Sequence, residues 1–106
     1  MKFLIINEQH TLMPQQEQLL KDTFGTWDTI KVPADGWTKK QIELIAYTHF
    51  EDDDEIILAS PIPYLIKELM LRCVDVHILH NDTREKKELP GGKIIYTVAK
   101  EGWVLV

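Results

Sequence analysis

The sequence predicts a single α/β domain built on a mostly parallel β-sheet. Continuous apolar runs, which are typical of strands buried on both faces, occur at Phe3–Ile6 and Ile56–Ala59. Segments with the apolar spacing of helices alternate with strand-like segments along the chain. At 106 residues the chain has the usual size of one domain. We therefore expect residues 1–106 to share one core.

The first half of the chain predicts two strand–helix units. Phe3–Ile6 is the first strand, and a helix over Pro14–Phe24 follows, because proline is tolerated in a first helical turn. Asp28–Val32 is a short second strand. Thr38 and Gln41 have the Thr-x-x-Gln spacing of a capping box, which predicts the start of a second helix.

The third unit begins with the strand Glu55–Ala59. Ser60 and Pro61 then match the N-cap and first position of a third helix. Apolar residues recur at helical spacing through Cys73, which makes this the most strongly amphipathic helix of the chain. Val74–Leu79 is a fourth strand. The acidic stretch Glu51–Glu55 before this unit is interpreted as a solvated connector, since it lacks the spaced ligands of a calcium loop.

The C-terminal part predicts a β-hairpin. Glu85–Leu89 and Lys93–Ala99 are strand-like, and the turn Pro90–Gly92 separates them. Trp103–Val106 is a final short strand or a packed tail. Basic residues cluster around the hairpin and are either a patch for an anionic ligand or the lysines that protect an edge strand. These basic residues are Arg84, Lys86, Lys87 and Lys93.

The element order predicts where a ligand binds. Right-handed crossovers give the strand order 2-1-3-4, with helices on both faces of the sheet and the hairpin at the C-terminus. This order reverses between strands one and three, and open α/β sheets bind ligands at such a reversal, beyond the carboxyl ends of the strands. The two flanking loops are Asn7–Thr11 and Ser60–Tyr64. We expect the working surface where these loops meet.

Composition excludes several functions. A net charge of −5 argues against coating of long nucleic acid, although a local group of donors can still hold a small nucleotide. No apolar run is long enough to span a bilayer or to form a signal-peptide core, so we expect no membrane partner, no export signal and a cytoplasmic location. Cys73 is the only cysteine, which excludes an internal disulfide. Glycine-rich phosphate loops and the Gly-x-Ser-x-Gly elbow are absent, and we expect no metal and no cofactor.

Ser60 and His10 are the candidate catalytic residues. A helix beginning at Ser60 would direct unpaired N–H groups and a partial positive charge at a phosphate, although Ser60 can equally serve only as the helix cap. His10 is the natural acid–base group, since its ordinary pKa lies near neutrality, and the alternative is a polar surface residue. Tyr64 can stack on a base or pack as an ordinary helix residue.

The remaining candidate ligand-binding residues have structural alternatives. Asn7 can bind a ligand or bond its own backbone in the turn, and Thr11 can bind a phosphate or cap the first helix. Pro61 stiffens the second loop. Asn81 and Arg84 follow the fourth strand, at the same edge of the sheet. The three tryptophans are core or interface residues, and the sequence does not choose between these roles for Trp27, Trp37 and Trp103.

Two short motifs carry a resemblance to a known family. The residues are Asn7-x-x-His10-Thr11-Leu12-x-Pro14-x-Gln16 and, after the third strand, Ala59-Ser60-Pro61. This combination resembles the small stand-alone CRISPR-associated proteins with a Rossmann-like, CARF-like fold, some of which are ring nucleases. Where the family has Thr or Ser before the helix-opening proline, this chain has Met13.

The resemblance implies a specific activity. Such proteins bind cyclic oligoadenylate, the second messenger of type III CRISPR defence, across a homodimer, and some cleave it without a metal ion. Ser60 would then hold the phosphate, His10 would assist proton transfer, and Asn7 or Thr11 would position the ribose. Two alternatives are a non-catalytic nucleotide sensor or sponge on the same fold, and a protein-interaction domain that uses its tryptophans and hairpin.

Overall fold

The computed structural model describes residues 1–106, with the side chain of Val98 left out of the description. Three helices alternate with the first four strands, through residue 81, and three further strands follow. In chain order they are β1 (Lys2–Asn7), α1 (Pro14–Phe24), β2 (Asp28–Val32), α2 (Lys39–Thr48), β3 (Glu55–Leu58), α3 (Pro63–Leu71), β4 (Asp75–Asn81), β5 (Arg84–Glu88), β6 (Ile94–Val98) and β7 (Trp103–Leu105).

The main sheet has five strands in the order β2-β1-β3-β4-β7. The first four run parallel, and Ile5 at the centre of β1 pairs with Ile30 on one side and Leu58 on the other. The α/β class and the mostly parallel sheet are therefore confirmed. The order differs in detail from the four-strand expectation, because β7 joins the sheet antiparallel to β4. The hairpin returns the chain to the carboxyl end of β4. A strand that then runs directly beside β4 is antiparallel to it, as β7 is.

Helices cover both faces of this sheet. Successive side chains of a strand point to opposite faces, so Leu4 packs with α1, through Leu20, while Ile5 packs with α2 and α3, through Ile42 and Leu65. The two cores are almost completely shielded from water, which suits strands made of continuous apolar runs. None of the helices in the described part of the chain has the length and apolar character needed to cross a bilayer.

The sequence predicted the start of α2 correctly and the start of α3 wrongly. The capping box of α2 is present: the Thr38 hydroxyl accepts from the Gln41 N–H at 3.2 Å, and the Gln41 amide oxygen accepts from the Thr38 N–H at 2.8 Å. The helix α3, however, begins at Pro63 with Ile62 as its N-cap. Ser60 and Pro61 are thus not the N-cap and first residue of α3, as the sequence had suggested.

Two prolines explain the later start of α3. A residue that precedes proline is disfavoured in the helical region, so Pro63 holds Ile62 in an extended conformation, with φ −124° and ψ 99°. A helix cannot therefore run from Pro61 through Ile62. The helix also ends at Leu71, two residues before Cys73, whose positive φ of 59° is incompatible with its continuation.

The hairpin is present as expected but stands apart from the main sheet. The strands β5 and β6 pair antiparallel in a sheet of their own. Gly91 and Gly92 form the turn with φ of 88° and 80°, a region that glycine enters without steric cost. The Leu89 N–H closes the turn by donating to the Lys93 carbonyl at 2.7 Å.

Candidate functional site

The carboxyl ends of β1 and β3 meet at the strand-order reversal. The Ala59 and Ser60 N–H groups both donate to the Ile5 carbonyl, at 2.9 and 3.3 Å. In return, the Asn7 N–H donates to the Ser60 hydroxyl oxygen at 3.0 Å. Ser60 is thus held to β1 rather than to a helix, and its backbone N–H is already engaged. The structure brings the two expected loops together at Ser60 without the helix N-terminus that was expected behind it.

A tight turn after β1 returns His10 to Ser60. The Asn7 side-chain oxygen accepts from the Gln9 N–H at 2.9 Å, and the Asn7 carbonyl accepts from the His10 N–H at 2.9 Å. Asn7 therefore stabilises the turn through its own backbone neighbours. The His10 Nδ1 atom consequently lies 3.4 Å from the Ser60 hydroxyl oxygen.

The proton of the Ser60 hydroxyl is available to His10. The Ser60 oxygen accepts from the Asn7 N–H, which leaves the hydroxyl hydrogen free to donate. In the imidazole tautomer with an unprotonated Nδ1, Ser60 donates to His10. A distance of 3.4 Å is longer than a strong O–H···N bond, and catalytic contacts of this kind commonly shorten when a substrate binds.

His10 and Ser60 line a cavity of about 460 Å³ on the α1 side of the sheet. Its walls combine apolar side chains with a few polar groups, which is the usual composition of a small-molecule site. The lining residues are Ile6, Gln9, His10, Thr11, Met13, Gln16, Ala59, Ser60 and Trp103. Thr11 thus lies in the cavity wall and does not cap α1, whose N-cap is Met13. The Gln16 side chain accepts from the Met13 N–H at 2.8 Å and is buried.

Trp103 is a site residue whose role the sequence left undecided. It lies at the start of β7 and is held against α1, because its N–H donates to the Gln15 side-chain oxygen at 2.9 Å. Its indole Nε1 is buried, and it has no hydrogen-bond partner among the described residues. No local signal could have placed Trp103 here, since its partner Gln15 is 88 residues away.

A second depression of about 360 Å³ adjoins the cavity and shares Ile6, His10 and Thr11 with it. It adds Lys31 from the edge strand β2, together with Trp27. Lys31 is therefore a cation on the same side of the sheet as His10. The sequence indicated only that Lys31 belongs to a strand, and it reaches the site because β2 pairs with β1.

Tyr64 and Pro61 do not line the cavity. Pro61 is exposed in the connection to α3. The Tyr64 hydroxyl donates to the Glu43 carboxylate at 3.0 Å, and its ring packs against the core on the α2–α3 side. Tyr64 thus connects two helices, which is the packing alternative that the sequence had left open. The hydrogen bonds from the Lys39 ammonium and the Tyr64 hydroxyl lower the pKa of the Glu43 carboxyl below its usual value.

The depressed pKa of Glu43 predicts a small pH dependence of stability. A carboxyl whose pKa falls on folding contributes stability above its unfolded pKa, near 4.5, and the contribution disappears as the pH falls through the folded pKa. We expect Glu43→Gln to lower the urea midpoint slightly at neutral pH and to have a smaller effect at pH 3 than at pH 7. Glu85→Gln, in the exposed strand β5, is the control. Equal effects of Glu43→Gln at both pH values would contradict this account.

Asn81 and Arg84 stabilise the hairpin root, which is the place where the chain enters the hairpin after β4 and leaves it after β6. Neither residue lines the cavity. The buried Asn81 amide donates to the Ala99 and Glu101 carbonyls, at 3.1 and 3.0 Å. Its side-chain oxygen accepts from the Thr83 N–H at 2.8 Å. The Arg84 guanidinium donates to the Asn81 and Thr83 carbonyls, at 2.9 and 2.8 Å. These contacts stabilise the turn after β4, and they hold both ends of the hairpin together.

Replacement of Asn81 should loosen the hairpin root. We expect Asn81→Ala to lower the free energy of unfolding by about 1–3 kcal/mol, because buried carbonyl and N–H groups lose their partners. Urea unfolding measures the loss, and hydrogen exchange should show it concentrated near Thr83 and Ala99. The exposed neighbour Asp82 provides the control, since Asp82→Ala should change stability by less than about 0.5 kcal/mol. A neutral Asn81→Ala would show that the root is held by other contacts.

The structure is that of an α/β protein with a cavity at the carboxyl ends of its parallel strands. Among the described residues, no three His, Cys, Asp or Glu side chains are grouped so that they could hold a metal ion. Comparison with known proteins found no matching family model, no matching curated protein and no matching solved structure.

Proposed function

We propose that this protein binds cyclic oligoadenylate in the His10–Ser60 cavity and cleaves it without a metal ion, and that its fold is of the Rossmann-like, CARF-like kind. The observation that carries the proposal is the His10 Nδ1 atom 3.4 Å from the Ser60 hydroxyl, inside a cavity of about 460 Å³. The motif residues Asn7, His10 and Ser60 lie together at this point, although they are up to 53 positions apart in sequence.

The proposed reaction transfers a ribose 2′-oxygen to the adjacent phosphorus. The O2′–P bond forms and the P–O5′ bond breaks, which opens the ring and leaves a 2′,3′-cyclic phosphate. His10 takes the proton of the 2′-hydroxyl and then, as the imidazolium, returns it to the leaving 5′-oxygen. The Ser60 hydroxyl has a single hydrogen, so it turns from His10 to donate it to a phosphate oxygen, where negative charge must be stabilised, and His10 Nδ1 is left free to act as the base. No step in this sequence requires a redox change or a further reactant.

The surroundings of the pair suit a nucleotide. Lys31 supplies a cation in the adjoining depression, and the carboxylate that also lines it, Glu17, is paired with Lys21 at 3.1 Å. Ile6 and Trp103 give the cavity an apolar wall of the kind that buries a purine. Thr11 adds a hydroxyl on the border between the two depressions, where a ribose would lie. These features support the binding of a phosphodiester that carries a base.

A second function, binding without cleavage, has one observation in its favour. His10 is the only titratable side chain among the described residues that line the cavity. A single imidazole would then have to serve both as base and as acid. A protein that only sequesters the nucleotide would need the same cavity and no proton transfer, so the sponge is the second candidate.

Incubation with cyclic tetraadenylate and cyclic hexaadenylate in EDTA tests both functions. We expect a linear product that ends in a 2′,3′-cyclic phosphate, detected by mass spectrometry at enzyme concentrations above those of the substrate. Binding measured by calorimetry without any product would establish the sponge. The absence of both binding and product would exclude both functions. Tyr64→Phe is the matched control: it removes a hydroxyl outside the cavity and should leave the result unchanged.

A further inference from the structure

One polar side chain in the wall of the His10–Ser60 cavity is buried and still has an unused donor. Gln16, in the first turn of α1, lines the cavity and is only 7% exposed. Its side-chain oxygen accepts from the Met13 N–H at 2.8 Å. Its Nε2 group donates to none of the described residues, and it is not completely shielded from solvent. Buried amides normally use both of their polar atoms, so this donor indicates a ligand that supplies an acceptor.

The start of α1 fixes the orientation of the Gln16 amide. An amide can be flipped to exchange its oxygen and nitrogen, but only the oxygen can accept from the Met13 N–H. A flipped amide would set two donors against each other and would leave the N-cap N–H without a partner. The Nε2 donor is therefore fixed in position before a ligand arrives, which lowers the cost of ordering this side chain on binding.

Gln16 lies in the apolar part of the site. Met13, Gln16 and Trp103 line the cavity that contains Ser60, but they do not line the adjoining depression that contains Lys31. The Trp103 Nε1 group is also without a partner, but it is completely shielded, so a ligand cannot reach it without a rearrangement. Of these two donors, the Gln16 amide is thus the accessible one. Apolar side chains around a single amide donor suit a base rather than a phosphate.

We propose that Gln16 selects adenine as the base bound in this cavity, a role that rests on the proposed function. The Nε2 group donates to one of the two ring nitrogens near the amino group of adenine, N7 or N1. The side-chain oxygen has a second lone pair beside the one that the Met13 N–H uses, so it can accept from the amino group at the same time. Glutamine recognises adenine in this bidentate manner in nucleic acids.

This pairing distinguishes adenine from other purines. Guanine and hypoxanthine carry a carbonyl oxygen where adenine has its amino group. In the same position these bases would place that carbonyl against the Gln16 oxygen, and two acceptors would face each other without a hydrogen. Gln16 is therefore a specificity-determining residue, and it takes no part in the proton transfers assigned to His10.

Deaza analogues of the ligand test this role. In 7-deazaadenine and 1-deazaadenine a C–H group replaces N7 and N1, while the amino group and the phosphates are unchanged. The Kd of the native chain is measured by calorimetry for cyclic tetraadenylate and cyclic hexaadenylate and for the same rings built from each analogue. We expect one of the two analogues to bind at least about fivefold more weakly, because the buried Gln16 donor then has no acceptor.

Gln16→Glu removes the donor and keeps the helix cap. Its carboxylate can accept from the Met13 N–H at the positive end of α1, which favours the ionised form. The added charge weakens the binding of every ring, so the ratio between the adenine ring and its deaza analogue is the readout. We expect this ratio to fall to about one, since no group in the variant donates to the ring nitrogen.

Gln41→Glu is the matched control. Gln41 has the same position in the first turn of α2, where its side-chain oxygen accepts from the Thr38 N–H at 2.8 Å, and it does not line the cavity. The variant carries the same chemical change and the same added charge, and it should keep the native ratio. Urea unfolding of both variants verifies that they are folded.

The possible results separate this role from the proposed function. If the unmodified rings bind and neither analogue binds more weakly, the role of Gln16 is wrong while the proposed function stands. A preference that persists in Gln16→Glu, or that Gln41→Glu also abolishes, would likewise overturn it. No binding of either unmodified ring would overturn the proposed function and this role together. The comparison of rings on the native chain needs no variant, so it is decisive even if Gln16→Glu does not fold.

Discussion

Replacing His10 with alanine is expected to slow the proposed cleavage of cyclic oligoadenylate by about 10²- to 10⁴-fold, the usual effect of losing a general acid or base. The imidazole lies 3.4 Å from the Ser60 hydroxyl and is the only titratable side chain in the described cavity wall. No other side chain of that wall can therefore take its place as acid or base. Single-turnover rates in EDTA, followed by separation of cyclic and linear products, measure the change in the chemical step.

His80→Ala is the matched control for this experiment. His80 is also exposed, and its Nε2 lies 3.3 Å from the Asp82 carboxylate, away from the cavity lining. Its loss should leave the rate unchanged. Nucleotide affinity should survive His10→Ala better than the rate does, because Ser60, Lys31 and the apolar wall are retained. A full cleavage rate in His10→Ala would contradict the assigned acid–base role, while leaving binding in the cavity open to a separate test.

Replacing Leu65 with alanine is expected to lower the free energy of unfolding by about 2–5 kcal/mol. Leu65 lies in the first half of α3, is completely buried, and packs with Ile5, Leu58 and Ala46 in the core between the sheet and the α2–α3 layer. The truncation removes apolar surface from this core and leaves a cavity that the surrounding side chains only partly fill. Urea unfolding followed by tryptophan fluorescence and circular dichroism measures the loss.

Met70→Ala, in the same helix, is the control for Leu65→Ala. The Met70 side chain is 65% exposed, so its truncation should change stability by no more than about 0.5 kcal/mol. Both substitutions leave alanine, which favours helix, so helix propensity does not account for a difference between them. A similar loss in both variants would mean that the core under α3 is not packed as the structure indicates.

Local signals in the sequence were sufficient to predict most of the elements of the fold. The apolar run before Asn7 predicted a buried strand because parallel strands are covered on both faces. The Thr38–Gln41 spacing predicted the start of α2 because its hydrogen bonds join residues only three positions apart. The hairpin turn was predicted because Gly91 and Gly92 can adopt positive φ. In each case, the physical cause lies within a few residues of the signal.

The error at Ser60 has a local cause as well. The sequence Ser60-Pro61 matches an N-cap followed by proline, but a second proline at position 63 prevents Ile62 from becoming helical. Attention to both prolines would have moved the start of α3 to Pro63. The consequence is functional, because Ser60 is left without a helix to cap and its hydroxyl is oriented by the Asn7 N–H instead.

What the sequence by itself determined is the α/β class, the alternation of strands and helices, and the meeting of two loops at the strand-order reversal. Only the tertiary structure decided that Trp103 and Lys31 join His10 at the site, that β7 extends the sheet, and that Asn81 serves the hairpin root. The reason is physical. Periodicity and turn chemistry reflect interactions between near neighbours in the chain. The contact of Gln15 with Trp103 spans 88 residues and depends on how complete elements pack, which no local pattern encodes.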